Sequence, residues 1–302
     1  MVRPSATDVT DVLARALDHE RNGQVERALE ILVADQRHRR DPVVAARVVA
    51  LRHRVALARP TPAPVAFEPP RAQPLHQPGH LPELPAAELT VAALRDGLAH
   101  HGCLLVRGLI SEARALDLAA GIDRALDAFD AAAAEGADSS SGELAGWYSQ
   151  FTPDPGRYRV GGRRNWVRAS GAMWTADSPE MFARLLELID DTGVGALVTE
   201  YLGERPELSA NKCTLRRVPL TTNVGWHQDG AFLGETVRTV NLWLALGQCG
   251  TTAPGMDIVP RRIDRVGETG SGDALFDWSV STDVVREVAG DAGVVRPEFG
   301  PG

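Results

Sequence analysis

The sequence predicts an α+β protein in which a small all-helical segment precedes a domain that ends in a β-rich, jelly-roll-like barrel. Apolar residues recur at intervals of three and four along residues 7–59, which is the spacing of amphipathic helices. From Glu207 onwards, short β-rich runs are separated by Gly, Pro and Thr-Thr-Asn turns. Helices followed by a run of strands are typical of an α+β fold.

Composition and charge exclude several classes of protein. The chain has 302 residues, of which 44% are hydrophobic and 24% charged, so it is neither fibrous nor wholly disordered. The formal net charge of −8 disfavours an extended nucleic-acid-binding face. No apolar run approaches the ~18–20 residues of a membrane span, and no apolar signal region follows the N-terminus. We therefore expect a cytoplasmic protein with no nucleic-acid and no membrane partner.

Residues 1–58 are predicted to form a helical segment. Gly23 separates the first two apolar stripes, and Asp41-Pro42 has the composition of a helix start, with Asp as the N-cap. The stretch from Leu13 to Pro42 resembles one tetratricopeptide repeat, and an unrelated helical hairpin fits about as well. Because a solenoid needs about three stacked repeats, we expect this segment to pack on its neighbour or to bind a protein partner.

A proline-rich linker is predicted at residues 59–85, where Pro is too dense for a helix or a central strand. The domain that follows, residues 86–302, begins with helical patterns, and two of their starts carry a capping residue, Ser111 and Ser178. Strands are predicted at residues 103–107, 208–218, 237–246 and 256–259. The three cysteines, Cys103, Cys213 and Cys249, have neither disulfide nor zinc-site spacing and indicate buried thiols.

The segment Gly225-Trp226-His227-Gln228-Asp229-Gly230 carries the clearest chemistry. A His-x-Asp spacing in an extended chain directs the imidazole and the carboxylate to the same side. With one more ligand, such a pair forms the facial triad that binds non-haem Fe(II) and leaves positions open for a co-substrate and oxygen. A surface turn with a hydrogen-bonded His is the alternative interpretation of the same spacing.

Four segments in order resemble the phytanoyl-CoA dioxygenase family. They are residues 101–109 (His-Gly-Cys-Leu-Leu-Val-Arg-Gly-Leu), 226–230 (Trp-His-Gln-Asp-Gly), 241–246 (Asn-Leu-Trp-Leu-Ala-Leu) and 253–260 (Ala-Pro-Gly-Met-Asp-Ile-Val-Pro). The resemblance covers about residues 88–302 and leaves the N-terminal helices unmatched. It implies a double-stranded β-helix that binds Fe(II) and uses 2-oxoglutarate as co-substrate.

The resemblance also assigns roles by position. His227 and Asp229 resemble the first two iron ligands and are thereby the candidate catalytic residues. Trp243 resembles an aromatic that lines the co-substrate pocket, and a core Trp is the alternative. Lys212, the only Lys beside 31 Arg, is a candidate partner of a co-substrate carboxylate. Strand alternation places it on one face with Thr214 and Arg216, and an exposed, solubilising Lys fits as well.

The sequence departs from the family pattern after residue 230. The family has a third iron ligand, a downstream His, followed by an Arg that binds the far carboxylate of 2-oxoglutarate. The last His here is His227, and residues 296–302 resemble the turn that leads into the strand carrying that ligand. We therefore expect a C-terminally truncated domain whose last barrel strands are missing, and a degenerate relative with impaired catalysis is the alternative.

Together these observations predict an enzyme, an Fe(II)- and 2-oxoglutarate-dependent oxygenase that hydroxylates a small or carrier-bound organic substrate. A second possibility is a non-catalytic jelly-roll binding protein, and a third is an adaptor that recruits partners through its N-terminal helices. The aromatic and Arg-rich stretch at residues 147–175 is a candidate wall for an anionic or carrier-bound substrate, or else a packed connection.

Overall fold

The structure, a computed structural model, combines helices with a few short strands. It describes residues 9–60, 80–135, 144, 146–156, 162–220, 225–233, 237–251 and 253–302. Within these ranges no helix is both long and apolar enough to cross a membrane. Most of the predicted linker, residues 61–79, and the loop at residues 136–143 lie outside them.

The predicted N-terminal helices are confirmed. They are α1 (Val9–Arg21), α2 (Val25–Arg39) and α3 (Pro42–Ala58). Asp41 caps α3 as expected, because its carboxylate accepts hydrogen bonds from the amides of Val43 and Val44 at 2.9 and 3.1 Å. The cap fixes where the chain enters α3.

One apolar face of each of these helices contributes to a shared core. The fully buried members of the core are Val12, Ala16, Ala28, Leu32, Val44, Val48 and Leu51. At the edge of the core, the Glu20 carboxylate of α1 pairs with the guanidinium groups of Arg47 and Arg54 on α3. Apolar periodicity in the sequence therefore predicted both the helices and the faces they bury.

Further helices follow α3 along the described residues, and two of them begin at the predicted caps, Ser111 and Ser178. They are α4 (Val91–His101), α5 (Glu112–Glu135), α6 (Asn165–Ala169), α7 (Pro179–Asp191), α8 (Val194–Leu202), α9 (Gly230–Leu233) and α10 (Thr282–Ala289). The Ser111 hydroxyl accepts the amide of Arg114 at 3.3 Å, and the Ser178 hydroxyl accepts the amide of Met181 at 3.4 Å. Helices α6, α9 and α10 were not predicted.

Four short strands form two small sheets. They are β1 (Glu83–Pro85), β2 (Leu105–Arg107), β3 (Ala172–Trp174) and β4 (Thr214–Arg216). β1 pairs with β2 in parallel, and β3 pairs with β4 antiparallel. The end of the predicted linker is thus a strand, and the predicted strands at 103–107 and 208–218 shorten to three residues each.

The described residues form no barrel, and they contain no strand at the predicted positions 237–246 and 256–259. The C-terminal part has isolated antiparallel bridges instead, which join Trp226 to Val280, Cys249 to Phe299 and Ile258 to Val295. A strand exists only with a partner along its edge. Residues 237–246 have the alternating apolar pattern of a strand, but no described segment pairs with them continuously. Several of their large side chains are exposed.

The chain divides into two compact units that cut across the predicted boundaries. Unit 1 takes its described residues from Met1–Thr61, Leu118–Asp191 and Glu207–Val218, and unit 2 takes the remainder. Within unit 1, α3 packs on α7, and Arg40 pairs with Glu180 and Glu187 of α7. The N-terminal helices therefore pack on a neighbour, and the division 1–58, 59–85 and 86–302 stays a prediction.

A buried ion pair joins the irregular segments of unit 1. The side chains of Arg164 and Asp177 are both only 2% exposed and pair directly. The Arg164 guanidinium also donates to the Phe151 carbonyl at 3.0 Å and lies 4.1 Å from the centroid of the Trp174 ring. Burial raises the pKa of Asp177, and the hydrogen bonds from Arg164 and the Phe151 amide oppose that rise.

Unit 2 contains the candidate chemistry. Its helices α4 and α8 pack together, and the buried face of α8 contacts Leu109 and Val240. The segment from 225 to 302 is mostly irregular, and the three bridges and helix α10 organise it.

Candidate metal centre

His227 and Asp229 lie in a tight turn of unit 2. The turn follows the Trp226–Val280 bridge, in which the Val280 amide donates to the Trp226 carbonyl at 2.8 Å. It leads directly into α9, where the Asp229 carbonyl accepts the amide of Phe232 at 3.1 Å. The extended strand expected for the motif is therefore a single bridge followed by one helical turn.

The two side chains nevertheless face each other, as the His-x-Asp spacing predicts. His227 Nε2 and Asp229 Oδ1 are 3.7 Å apart, and the side chains are 32% and 31% exposed. His227 Nδ1 lies 3.2 Å from the Gly225 carbonyl, which can only accept, so this nitrogen carries the proton. In the neutral tautomer with this proton, which is the tautomer that metal-binding His uses, the lone pair is on Nε2, the nitrogen that faces Asp229 Oδ1.

A second hydrogen bond orients the carboxylate. The Asn241 side-chain amide donates to Asp229 Oδ2 at 2.6 Å, which leaves Oδ1 on the side of His227. Asn241 is a positioning residue that sequence reasoning did not single out. Its only signal is its place at the start of the 241–246 segment, which the family resemblance uses for a different residue, Trp243.

Gln228, between the two candidate ligands, fastens the turn to the opposite segment. Its side-chain amide nitrogen donates to the Arg265 carbonyl at 3.1 Å, and its oxygen accepts the Gly267 amide at 2.8 Å. Both polar atoms of the Gln228 side chain are therefore used to hold the turn against residues 265–267.

An aromatic cluster, made of Phe232, Phe276 and Trp278, borders the pair. The Trp278 ring lies edge-on to His227 at 5.4 Å between centroids and edge-on to Phe232 at 5.9 Å. Phe276 stacks on Trp278 at 4.8 Å with the ring planes 7° apart. Edge-on and stacked contacts of this kind hold rings in fixed orientations, so the cluster positions the imidazole.

The donor set fits a divalent transition metal in part. Ligand atoms at ~2.0–2.2 Å from one ion lie about 3.0–3.4 Å apart, so bringing Nε2 and Oδ1 onto one ion requires closure from the observed 3.7 Å by roughly half an ångström. Within the part of the chain that the structure describes, no group of three or more His, Cys, Asp or Glu side chains is arranged to hold a metal. The described residues thus supply two protein donors.

The expected roles of the two other polar candidates, Lys212 and Thr214, towards 2-oxoglutarate stay predictions. Lys212 and Thr214 belong to unit 1, whereas His227 and Asp229 belong to unit 2. Lys212 also lies in the turn before β4 and not on a strand, so the expected common face of Lys212, Thr214 and Arg216 is wrong for Lys212. Thr214 pairs with Trp174 across the β3–β4 sheet.

Trp243 packs on the C-terminal residues. Its ring lies 4.8 Å from the Phe299 ring, between centroids, and the residue remains 43% exposed. The backbones of Cys249 and Phe299 exchange hydrogen bonds of 2.9 and 3.0 Å, which fixes this contact. The expected role of Trp243 in a co-substrate pocket stays a prediction.

The arginines of the 147–175 stretch that the structure describes are engaged inside unit 1. Arg163 donates to the backbone carbonyls of Ala132 and Ala133, Arg164 pairs with Asp177, and Arg168 pairs with Asp130. Arg157 and Arg159 lie outside the described residues. The described part of this stretch is therefore a packed connection.

The three thiols are free and partly buried. Burial raises the pKa of all three, to about 11 for Cys103. They are thus protonated at neutral pH and unsuited to act as thiolate ligands.

Comparisons with protein-family models, with curated proteins and with solved structures found no match to this chain.

Proposed function

We propose that this chain is an Fe(II)- and 2-oxoglutarate-dependent oxygenase of the cytoplasm that hydroxylates a small or carrier-bound organic substrate. The observation that carries the proposal is the orientation of His227 Nε2 towards Asp229 Oδ1, with Gly225 and Asn241 holding the far atoms of both side chains. Two oriented donors of these types are what the family resemblance leads one to expect.

When bound, iron with 2-oxoglutarate and oxygen supplies the oxidising chemistry that inserts a hydroxyl group into a C–H bond. The residues of this chain provide the rest. His227 and Asp229 would hold the ion, Asn241 orients the Asp229 carboxylate, and both candidate ligands are partly accessible to solvent. Open positions are needed for a co-substrate.

The same proposal assigns residues 86–302 to the double-stranded β-helix class. The antiparallel bridges Trp226–Val280, Cys249–Phe299 and Ile258–Val295 support it, because that fold pairs its strands antiparallel. Trp243, Lys212 and Thr214 keep their proposed roles towards 2-oxoglutarate.

Chemical rescue tests this proposal. The full chain, supplied with Fe(II), 2-oxoglutarate and oxygen, is assayed for succinate with and without millimolar imidazole, which offers the nitrogen ligand that the described residues do not supply.

We expect imidazole to raise succinate formation in the wild type and in the control His19→Ala, which removes an imidazole from unit 1. His227→Ala and Asp229→Ala should show no rise. Succinate formation that is independent of His227 and Asp229, or absent under all conditions, would reject the proposal.

The absence of a third donor among the described residues favours a second candidate, a non-catalytic binding protein or an adaptor that recruits a partner through α1–α3. Binding of Fe(II) without any succinate formation, with or without imidazole, is the outcome that supports it.

A further inference from the structure

The aromatic cluster beside His227 and Asp229 leaves much of its surface in solvent. Phe232 is 37% exposed and Phe276 is 45% exposed, although both rings are held by contacts with Trp278. Leu275 is also exposed and extends this surface. It lies close to Gly225, which is two residues before His227. Contiguous exposed apolar surface of this kind marks binding sites more often than scattered apolar residues do.

The cluster is built for a fixed geometry. Phe276 and Trp278 lie parallel, and Trp278 meets the rings of His227 and Phe232 nearly at right angles. Because the contacts of Trp278 fix the orientation of Phe232 and Phe276, these rings present flat surfaces without losing much side-chain freedom when a ligand arrives. A flat apolar group complements them better than a flexible alkyl chain does.

Charge restricts the ligand further. Residues 265–287, which carry Phe276, Trp278 and α10, contain five carboxylates (Glu268, Asp273, Asp277, Asp283 and Glu287) against the two cations of Arg265 and Arg286, and Arg286 acts on Asp273. Two hydrogen bonds from Thr282 lower the pKa of Asp273, so it stays ionised. A net negative surround repels an anion and favours a neutral group, or a cation over the ring faces.

We propose that the aromatic cluster binds the substrate, through a flat apolar group in a molecule that carries no negative charge. This inference rests on the proposed oxygenase function, since it places the substrate beside the candidate iron ligands. It also narrows the class of substrates, because neither a phosphate-bearing carrier nor a carboxylate would be bound by the aromatic cluster.

Isothermal titration calorimetry on the full chain with four probes tests the inference. 2-Naphthylmethylamine and 2-naphthylmethanol are flat and cationic or neutral, 2-naphthoate is flat and anionic, and cyclohexylmethylamine is cationic but not flat. The variants are Phe276→Ala, Phe276→Leu and Phe232→Ala. Phe276→Leu keeps apolar volume and removes the flat ring. The matched control is Trp166→Ala, which removes an exposed aromatic from unit 1.

We expect the first two probes to bind at least about fivefold more tightly than the other two, and each Phe variant to lose about fivefold in affinity, as the loss of one aromatic contact predicts. Trp166→Ala should bind like the wild type. A Phe276→Leu variant that binds like the wild type, a preference for 2-naphthoate, or no binding of either naphthyl probe would overturn the inference.

Fe(II) titrated into the same samples under anaerobic conditions separates the two proposals. Fe(II) binding without naphthyl binding means that the substrate inference alone fails. Naphthyl binding without Fe(II) binding supports the aromatic site and rejects the oxygenase function.

Discussion

At the residue scale, the groups behind the candidate ligands decide how well they hold a metal. Asn241 contacts Asp229 through a 2.6 Å hydrogen bond from a segment twelve positions further along the chain. Without it, the carboxylate is free to rotate and to turn Oδ1 away from His227 Nε2. Loss of a hydrogen-bond partner of a metal ligand typically lowers metal affinity by 10–100-fold.

We therefore expect Asn241→Ala to weaken Fe(II) binding by about tenfold without unfolding the chain. Anaerobic calorimetric titration measures the affinity, and circular dichroism checks the fold. Asn211→Ala is the control, because Asn211 contacts Ser209 within unit 1 and not the candidate ligands. An Asn241→Ala variant that binds Fe(II) as tightly as the wild type would show that this hydrogen bond does not position Asp229.

Cys103 offers a second residue-scale test. Burial raises its pKa to about 11, so at pH 8 roughly one molecule in a thousand carries the reactive thiolate. Because the thiolate fraction grows tenfold per pH unit below the pKa, alkylation of Cys103 by iodoacetamide in the folded chain should rise steadily between pH 7 and 10.

Mass spectrometry after tryptic digestion identifies the modified thiol, and Cys103→Ser is the control for its assignment. In urea the thiol is no longer buried. The alkylation rate of Cys103 should then rise with pH as it does for an ordinary thiol, with its midpoint near pH 8.5. A folded-state midpoint at that same pH would contradict the burial seen here.

The candidate site was predicted only in part. The pair His227 and Asp229 follows from a spacing of two residues, which local geometry alone brings together. Asn241 and Trp278 contact the pair from segments that are distant in sequence, and no local sequence pattern predicts such contacts. Lys212 illustrates the opposite error, since it lies inside the run 208–218 that was predicted to be a strand, whereas the strand begins two residues later at Thr214.

At the element scale, helices were predictable because their signals are local. The stripes of α1–α3 lie within each helix, and the caps Asp41, Ser111 and Ser178 directly precede the helices they cap. Strands depend on partners that lie far away in sequence. The run at residues 237–246 has strand-like composition, yet it stays irregular because no neighbouring strand pairs with it among the described residues.

The cap of α3 gives a quantitative test at this scale. Asp41→Ala removes the acceptor of the Val43 and Val44 amides and should lower the free energy of unfolding by about 1 kcal/mol. Urea unfolding followed by circular dichroism measures the difference. Gln24→Ala at the N-cap of α2, which makes no side-chain capping bond, is the control and should change stability much less. Equal effects of the two substitutions would show that the cap contributes nothing.

At the scale of the whole molecule, the N-terminal helices belong to a larger unit. Val49 of α3 shares a core cluster with Phe151 and Trp174, and Arg40 pairs with α7. The proline-rich composition after residue 58 predicted a boundary there, but it carried no information on what α3 packs against. Composition marks a change along the chain, whereas packing depends on contacts between distant segments.

A cut in the proline-rich segment should therefore not release the helices. With a site for a sequence-specific protease inserted among residues 61–79, the two fragments should co-elute in native size-exclusion chromatography and separate in urea. Val49→Asp places a charge in the shared core and should release the N-terminal fragment after cutting. Separation of the wild-type fragments in native buffer would contradict the packing of α3 on α7.

The central claim is that His227 and Asp229 together hold a divalent iron. Anaerobic calorimetric titration of Fe(II) into the wild-type chain, His227→Ala, Asp229→Ala and His19→Ala tests it most directly. With two protein donors, we expect weak binding of one ion in the wild type and in His19→Ala, and a loss of at least about tenfold in each ligand variant. No measurable Fe(II) binding by the wild type, or binding that is unchanged in His227→Ala and Asp229→Ala, would contradict the claim.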